Sequence, residues 1–285
     1  MTLQQVLSQA RKVLANHHIE DAPLEGELLL RHTLAINRVQ LYLDIKQELS
    51  PQQEATFWYL IERRLNGEPS AYITGHREFF GLDFYVNNHV LIPRPETELL
   101  VEKALNLAQS RQISTIAEVG TGCGAIAISL ALNLPQSRIY AIDISPSALK
   151  VASVNCQKHR VTDNICLLRG DMLNPLSEPA DLVVANLPYV KNTELHQVNS
   201  ASYEPLLALD GGSDGLEKIR RLCHQLSNKL HPEGCLLLEI GQGQQKAATT
   251  LLKSLFPSAK IEVTPDWGGI DRVVSLTLDT IPRFS

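Results

Sequence analysis

EVGTGCGAIAISLA, residues Glu118 to Ala131, decides how this chain is read. A short apolar run, Thr115 to Val119, ends in Gly120, Gly122 and Gly124, and an apolar helical pattern starts at once. Glycine is called for where a chain must turn sharply and bring bare backbone against a ligand, because a Cβ would stand in the way. The amides at the helix start are then expected to face that ligand. Gly120, Gly122 and Ala125 also satisfy the dinucleotide pattern GxGxx(G/A), so the turn marks a nucleotide-type site without fixing the cofactor.

Outward from this turn, strands alternate with helices. Strands are predicted at Thr115 to Val119, Arg138 to Ile142, Ile165 to Leu168, Leu182 to Ala185, Cys235 to Ile240, Lys260 to Val263 and Arg272 to Leu278. Such alternation implies an α/β fold, a mostly parallel sheet covered on both faces. Towards the N-terminus, apolar residues recur at helical spacing: Val6, Leu7, Ala10, Val13 and Leu14, then Leu28 to Leu30, then Phe57, Leu60, Ile61 and Leu65. They predict a small helical domain of about three to five helices. Helix starts are expected at Asp21-Ala22-Pro23 and Ser50-Pro51, and a stop at Asn66-Gly67. Between the two textures FFGLDFYVNNHV, Phe79 to Val90, alternates like a hairpin turning at Asn-Asn. The expected organisation is a helical domain over 1–75, a hairpin linker over 76–94 and a sheet domain over 95–285.

Composition narrows the function classes. The 285 residues are 44% apolar and 20% charged, as in ordinary globular proteins. A net charge of −5 argues against a surface built to neutralise phosphates, so direct nucleic-acid binding is not expected. The five cysteines form no CxxC pair or metal-finger spacing, which fits reduced thiols and a cytoplasmic location. The first residues, MTLQQVLSQARKVLANHH, lack the continuous apolar core of a signal peptide, and no run approaches the ~18 residues of a membrane span. A monomer is the default expectation.

Three further positions give the site its chemistry. Asp143 ends the second strand, about twenty residues after Gly120, where a carboxylate can accept from both hydroxyls of a ribose. It could instead cap a helix, but Ser145 before Pro146 can take that role. Asp171, after the third strand, either accepts from an adenine amino group while Met172 packs on the ring, or is a solvated turn residue. The fourth strand runs into Asn186-Leu187-Pro188-Tyr189, within VVANLPYVKN (Val183 to Asn192). A nicotinamide dinucleotide and S-adenosylmethionine both fit a nucleoside pocket, and here the carboxamide decides. Hydride transfer needs a proton donor or acceptor, commonly His, Lys or Tyr, whereas Asn186 is neutral and suited to holding. Its side-chain oxygen and the Leu187 carbonyl can together accept both hydrogens of a planar NH₂ group, with Tyr189 packing against the plane.

These residues resemble the release-factor glutamine methyltransferases, which methylate the glutamine of the Gly-Gly-Gln motif in class-1 peptide chain release factors. The likeness runs through EPSAYITGHREFFGLDFYVNNHVLIPRPETELLV (Glu68 to Val101), EVGTGCGAIAISLA, NLPYV, YEPLLALDGGSDGLEKIRRL (Tyr203 to Leu222), LLLEIGQGQ and DWGGIDRVV. The resemblance implies a seven-stranded, Rossmann-like class I methyltransferase sheet with an antiparallel last strand, joined by a hairpin to a helical N-terminal domain that helps bind the release factor. It implies contact with S-adenosylmethionine at Gly120, Thr121, Gly122, Cys123, Gly124, Asp143, Asp171, Met172 and Asn186, with Thr97 near the methionine end. It places the substrate glutamine at Asn186, Leu187, Pro188 and Tyr189. The family usually has Asn-Pro-Pro-Tyr, so Leu187 keeps the acceptor carbonyl but loses proline's stiffness. Asn-Leu-Pro-Tyr also resembles the clamp of RNA adenine-N6 methyltransferases, which leaves that activity, and more remotely an NAD-dependent oxidoreductase, as rivals.

Elsewhere, His17-His18 is expected to be a solvated pair, and Arg63-Arg64 a solvated helical face able to meet an acidic partner. Arg94 reads as an interdomain ion-pair former or a substrate contact, and Glu204-Pro205 as a channel border or an ordinary turn.

Overall fold

The computed structural model describes residues 1–197 and 203–278, and the chain divides into two compact units, Met1–His76 and Arg77–Ser285. The first unit is helical: α1 (Leu3–Asn16), α2 (Ala22–Leu34), α3 (Arg38–Leu43), α4 (Pro51–Leu65) and α5 (Ser70–Thr74). Thr2, Asn37 and Ser50 each accept from the amide three residues on, and a glutamine there reaches back, giving three capping boxes. Asp21 occupies the predicted start of α2, but at φ 52° its side chain makes no cap bond. Val6, Leu14, Leu29, Leu30, Phe57 and Ile61 pack between α1, α2 and α4 and are essentially unexposed. Arg63 and Arg64 are not simply solvated: Arg63 grips Glu68 at 2.5 Å and Arg64 meets Glu25 at 3.2 Å. His17 and His18 are exposed, as expected, and no group of three metal-ligating side chains occurs among the described residues.

The hairpin is β1 (His76–Phe79) with β2 (Leu82–Tyr85). Its turn lies at Phe80-Gly81 rather than at the expected Asn-Asn. A two-residue hairpin turn of the favoured hand needs both central residues at positive φ, and Phe80 and Gly81 take 52° and 70°. Phe80 is an unusual occupant of that region, which is why the pattern pointed further along the chain. Asn87 instead folds its own side chain onto the His89 amide.

Seven strands follow: β3 (Thr115–Val119), β4 (Arg138–Asp143), β5 (Ile165–Arg169), β6 (Ala180–Ala185), β7 (Leu230–Glu239), β8 (Lys260–Pro265) and β9 (Asp271–Thr277). Around them stand α6 (Glu98–Ser110), α7 (Ala125–Asn133), α8 (Pro146–His159), α9 (Glu217–Gln225) and α10 (Gln245–Leu255). The sheet order is β5-β4-β3-β6-β7-β9-β8, parallel throughout except that β9 runs antiparallel between β7 and β8. Ile116, Ala117, Leu182, Val183, Leu236 and Leu237 are fully buried, because the central strands are covered on both faces. Residues Ala125 to Ala131 of α7 are buried all round, so this helix carries little amphipathic pattern. The strand order reverses between β3 and β6, and ligands of open α/β sheets bind outside the carboxyl ends of strands at such a point.

Candidate functional site

At that point a cleft of about 930 Å³, counting its open mouth, lies against the ends of β3, β4, β5 and β6. Gly120 and Gly122 border it, with Asp143, Asp171 and Met172. Gly120, Gly122 and Gly124 take φ of 77°, 56° and 85°, a region that strains other residues. A Cβ on Gly122 would point into open space, so bare backbone there leaves room for a ligand.

Several amides of the turn are already engaged within the chain. Those of Gly120 and Thr121 both donate to the Ile142 carbonyl, at 2.8 and 3.0 Å. Gly122 donates to Asp143 Oδ2 at 2.9 Å, and Ala127 to Glu118 Oε2 at 3.0 Å. A dinucleotide turn uses such amides to hold a pyrophosphate. Here the Gly120, Thr121 and Gly122 amides are satisfied internally and are not available to such a group.

Glu118 drew no attention in the sequence, yet it organises this turn from below. It is 1% exposed, also accepts from Thr121 Oγ1 at 2.6 Å, and burial pushes its carboxyl up to about 8. Asp143 accepts from the Ser145 amide at 2.8 Å besides that of Gly122, while Ser145 caps α8 through Ala148. Asp143 is therefore a brace of the turn as well as a cleft residue. Each carboxylate oxygen keeps a lone pair that could take a ribose hydroxyl. Burial raises its pKa, and the Ser145 and Gly122 amides oppose that.

Three of the predicted cofactor positions face elsewhere. Thr121 is buried on Glu118, and Gly124 backs onto Ile128 and Ala152. Cys123 is buried, its thiol pushed up to about 12 by desolvation, and its carbonyl accepts from Asn155. Asn155 is fully buried and also exchanges two hydrogen bonds with Tyr85, tying the hairpin to the glycine turn. Asp171 is paired with Arg221 of α9, so it is not a lone turn carboxylate, and Met172 beside it is 8% exposed at φ 53°.

Asn186, Leu187 and Pro188 border the same cleft at the end of β6. Asn186 Nδ2 donates to Thr97 Oγ1 at 3.0 Å, which brings the PETE segment onto the clamp. Tyr189 stands behind, and burial pushes its hydroxyl up to about 12. Three glycines press on it. A Cβ on Gly211 would sit 2.7 Å from Tyr189 Cα, one on Gly215 2.5 Å from the Tyr189 carbonyl oxygen, and one on Gly241 2.9 Å from its ring. The motifs DGGSDG and EIGQG thus supply the close packing that seats Pro188 and Tyr189. Gln244 Nε2 adds a bond to the Tyr189 carbonyl at 3.0 Å. Below the clamp, Glu239 is 2% exposed, with Thr97, Arg272, Glu96 and Asn186 around its carboxylate. Glu239 is a second acidic residue that sequence reasoning passed over. Arg94 and Glu204 pair with each other at 2.5 Å inside this unit, and Glu204 also accepts from the Ile92 amide at 3.0 Å. Their bond ties down the segment whose Pro205, Leu207 and Ala208 border the cleft.

A cleft at the switch point of a sheet with one antiparallel strand inserted near its edge, bordered by a glycine turn whose Gly120, Thr121 and Gly122 amides are engaged internally, defines a Rossmann-like methyltransferase. The fold agrees with a methyltransferase from Pyrococcus furiosus, at a TM-score of 0.54 and 16% identity over 76% of this chain and 97% of that one. Residues 95–202 match the model of the methyltransferase small domain, and residues 5–75 that of the PrmC N-terminal domain. The release factor glutamine methyltransferase of Moorella thermoacetica is 43% identical over 95% of this chain and 97% of its own length. That of Geobacter sulfurreducens is 38% identical over 96% and 95%. The chain belongs to the release factor glutamine methyltransferase family.

Proposed function

We propose that this chain transfers a methyl group from S-adenosylmethionine to the side-chain nitrogen of the glutamine in the Gly-Gly-Gln motif of class-1 peptide chain release factors. The observation that carries the reading is Asn186: a neutral carboxamide on the cleft rim, its NH₂ engaged by Thr97, which leaves Oδ1 as an acceptor. Gly120, Gly122, Asp143, Asp171 and Met172 would hold the nucleoside, which suits a cleft with bare backbone, a carboxylate and an apolar side chain. When bound, S-adenosylmethionine supplies an electrophilic methyl carbon.

An amide nitrogen is a poor nucleophile because its lone pair is delocalised into the carbonyl, so the chain must supply geometry. Asn186 Oδ1 and the Leu187 carbonyl accept the two hydrogens of the substrate NH₂ and fix its plane. Tyr189, held by its three glycines, keeps Pro188 and Leu187 from yielding. Alignment of this kind can supply up to ~7–11 kcal/mol of the barrier. The helical unit serves as the docking domain for the release factor. On this reading the enzyme works as a monomer in the cytoplasm, with neither membrane nor nucleic acid as a direct partner. A net charge of −5 speaks against a surface built to neutralise phosphates, and no helix among the described residues is long and apolar enough to cross a membrane.

The test is to incubate the protein with labelled S-adenosylmethionine and either a release factor or RNA, then locate the label by mass. Label on the Gly-Gly-Gln glutamine is expected, and Asn186→Ala removes it while calorimetric affinity for the cofactor stays. Label on RNA adenine, or equal loss of both properties in the variant, overturns the assignment.

A further inference from the structure

The clamp poses a question of direction. A carboxamide has a donor end and an acceptor end of nearly equal size, and only one of them can receive a substrate N–H. Thr97 accepts from Asn186 Nδ2, so its own proton is available to donate onward. The carboxylate it lies against is Glu239, at the C-terminal end of β7, buried and with Oε2 lacking any hydrogen-bond partner. An ionised carboxylate only accepts. Ionised, it attracts the Thr97 proton and the Asn186 NH₂ alike, which would leave the Thr97 lone pairs for that NH₂ and turn Asn186 Oδ1 towards the cleft.

We infer that Glu239, acting through Thr97, sets which end of the Asn186 carboxamide faces the substrate, and is thus a positioning residue for methyl transfer. The inference rests on the reading of Asn186 as the substrate clamp. A protonated or amidated residue at this place can itself donate to Thr97. The Thr97 proton then goes to the Asn186 oxygen, the carboxamide turns over, and NH₂ meets NH₂. Burial first of all raises the Glu239 carboxyl, to about 7, so both states are reachable near neutral pH. The groups facing it are Glu96 and Thr97 from the Pro95–Thr97 turn, Asn186 and Tyr189 after β6, and Arg272 on β9. Thr97, Arg272 and Asn186 favour the ionised form and Glu96 opposes it.

The test uses the full chain with a release factor as substrate, and the variants Glu239→Gln, Thr97→Val and Thr97→Ser. Glu239→Gln and Thr97→Val should each lower kcat by about 10²-fold, the cost of a misplaced reacting group. Thr97→Ser should restore kcat relative to Thr97→Val, and cofactor affinity should hold in Glu239→Gln. Wild-type kcat should fall as the pH drops through about 7, and Glu239→Gln should lack that limb. A second readout needs no substrate: the side-chain amide signal of Asn186 in ¹⁵N-labelled protein, identified by its loss in Asn186→Ala. It should shift with the same midpoint in the wild type and not in Glu239→Gln. An amide signal that ignores pH, or a Glu239→Gln enzyme with full kcat, overturns the inference. A shifting signal in a protein that methylates no release factor upholds the orienting role of Glu239 and refutes the functional reading instead.

Discussion

Gly211→Ala tests whether the clamp is held by close backbone packing. Gly211 lies outside the left-handed region, so its conformation admits alanine and the effect is steric alone. The new methyl would stand 2.7 Å from Tyr189 Cα, 2.8 Å from the Pro188 oxygen and 2.8 Å from the Tyr189 carbonyl carbon. All three are backbone atoms, so no side chain can swing aside. Gly211 cannot simply recede either, because its amide donates to the Val190 carbonyl at 2.8 Å and its carbonyl accepts from Glu217 at 3.0 Å. Ordinary contact begins near 3.4 Å, so the two segments must part by about 0.7 Å, a strain of the overpacking kind that costs about 1–3 kcal/mol. A shift of that size at Pro188 and Tyr189 moves the Leu187 carbonyl off the substrate. With misplacements of about 1 Å costing up to 10²-fold, single-turnover methyl transfer at saturating cofactor should slow by about 10- to 100-fold. Calorimetric affinity for S-adenosylhomocysteine should stay within about threefold, roughly 0.7 kcal/mol, because Gly120, Gly122 and Asp143 are untouched. Gly243→Ala is the control: its φ of 81° strains alanine, but nothing lies within 4 Å of the new Cβ, so only stability should drop. A folded Gly211→Ala enzyme with wild-type rate would refute the claim that these glycines seat the clamp.

Glu118→Gln should make stability less dependent on pH. The folded pKa of Glu118 is raised to about 8, so the stability this shift lends is full below the ordinary carboxylate range and is lost as the pH rises through about 8. Both donors to Glu118 reach the same oxygen, so the Gln carbonyl can replace it. Urea titrations should show the variant gaining on the wild type between pH 6 and 9, by at most about 1.4 kcal/mol per pH unit. Arg94→Ala should cost about 1–3 kcal/mol, because Glu204 keeps the Ile92 amide and Arg94 is itself a third exposed. It should also raise KM for the release factor by loosening the Pro205–Ala208 border, read from initial rates. Gly26→Ala, in the middle of α2 with its nearest neighbour at an ordinary 3.5 Å, should stabilise the helical unit by about 0.5–1 kcal/mol, measured by thermal melting.

The strands were legible because each is an apolar run between turn residues, and Thr115–Val119 matches its predicted bounds. What escaped notice was long-range. Glu118 and Glu239 interrupt or end apolar strands, and nothing local tells a buried carboxylate from an exposed one. Their roles depend on Ala127 and Thr97, the latter 142 residues from Glu239 in the chain. The glycines of DGGSDG and EIGQG read as loop formers until Tyr189 is seen against them. The engagement of the Gly120, Thr121 and Gly122 amides was hidden because the sequence shows where the turn lies but not that the Ile142 carbonyl and the Asp143 carboxylate take them. Asn186 was legible because a carboxamide followed by proline at a strand end is chemically out of place.

The same packing bears on Leu187, which stands where the resemblance leads one to expect proline. Proline would stiffen the backbone by restricting the unfolded chain, an effect of about 0.4–1 kcal/mol. Leu187 is 4% exposed, and burying a leucine side chain contributes about 1.5–3 kcal/mol. Packing of the larger side chain therefore works against the stiffness lost. Leu187 Cδ2 lies 3.4 Å from where a Cβ on Gly120 would stand, and the Asn186 carbonyl 3.7 Å from it. Gly120 thus does two things: it turns the chain after β3 and leaves the space that Leu187 fills. The glycine turn after β3 and the Asn186-Leu187 segment after β6 are thus packed against each other by side-chain contact across the strand ends.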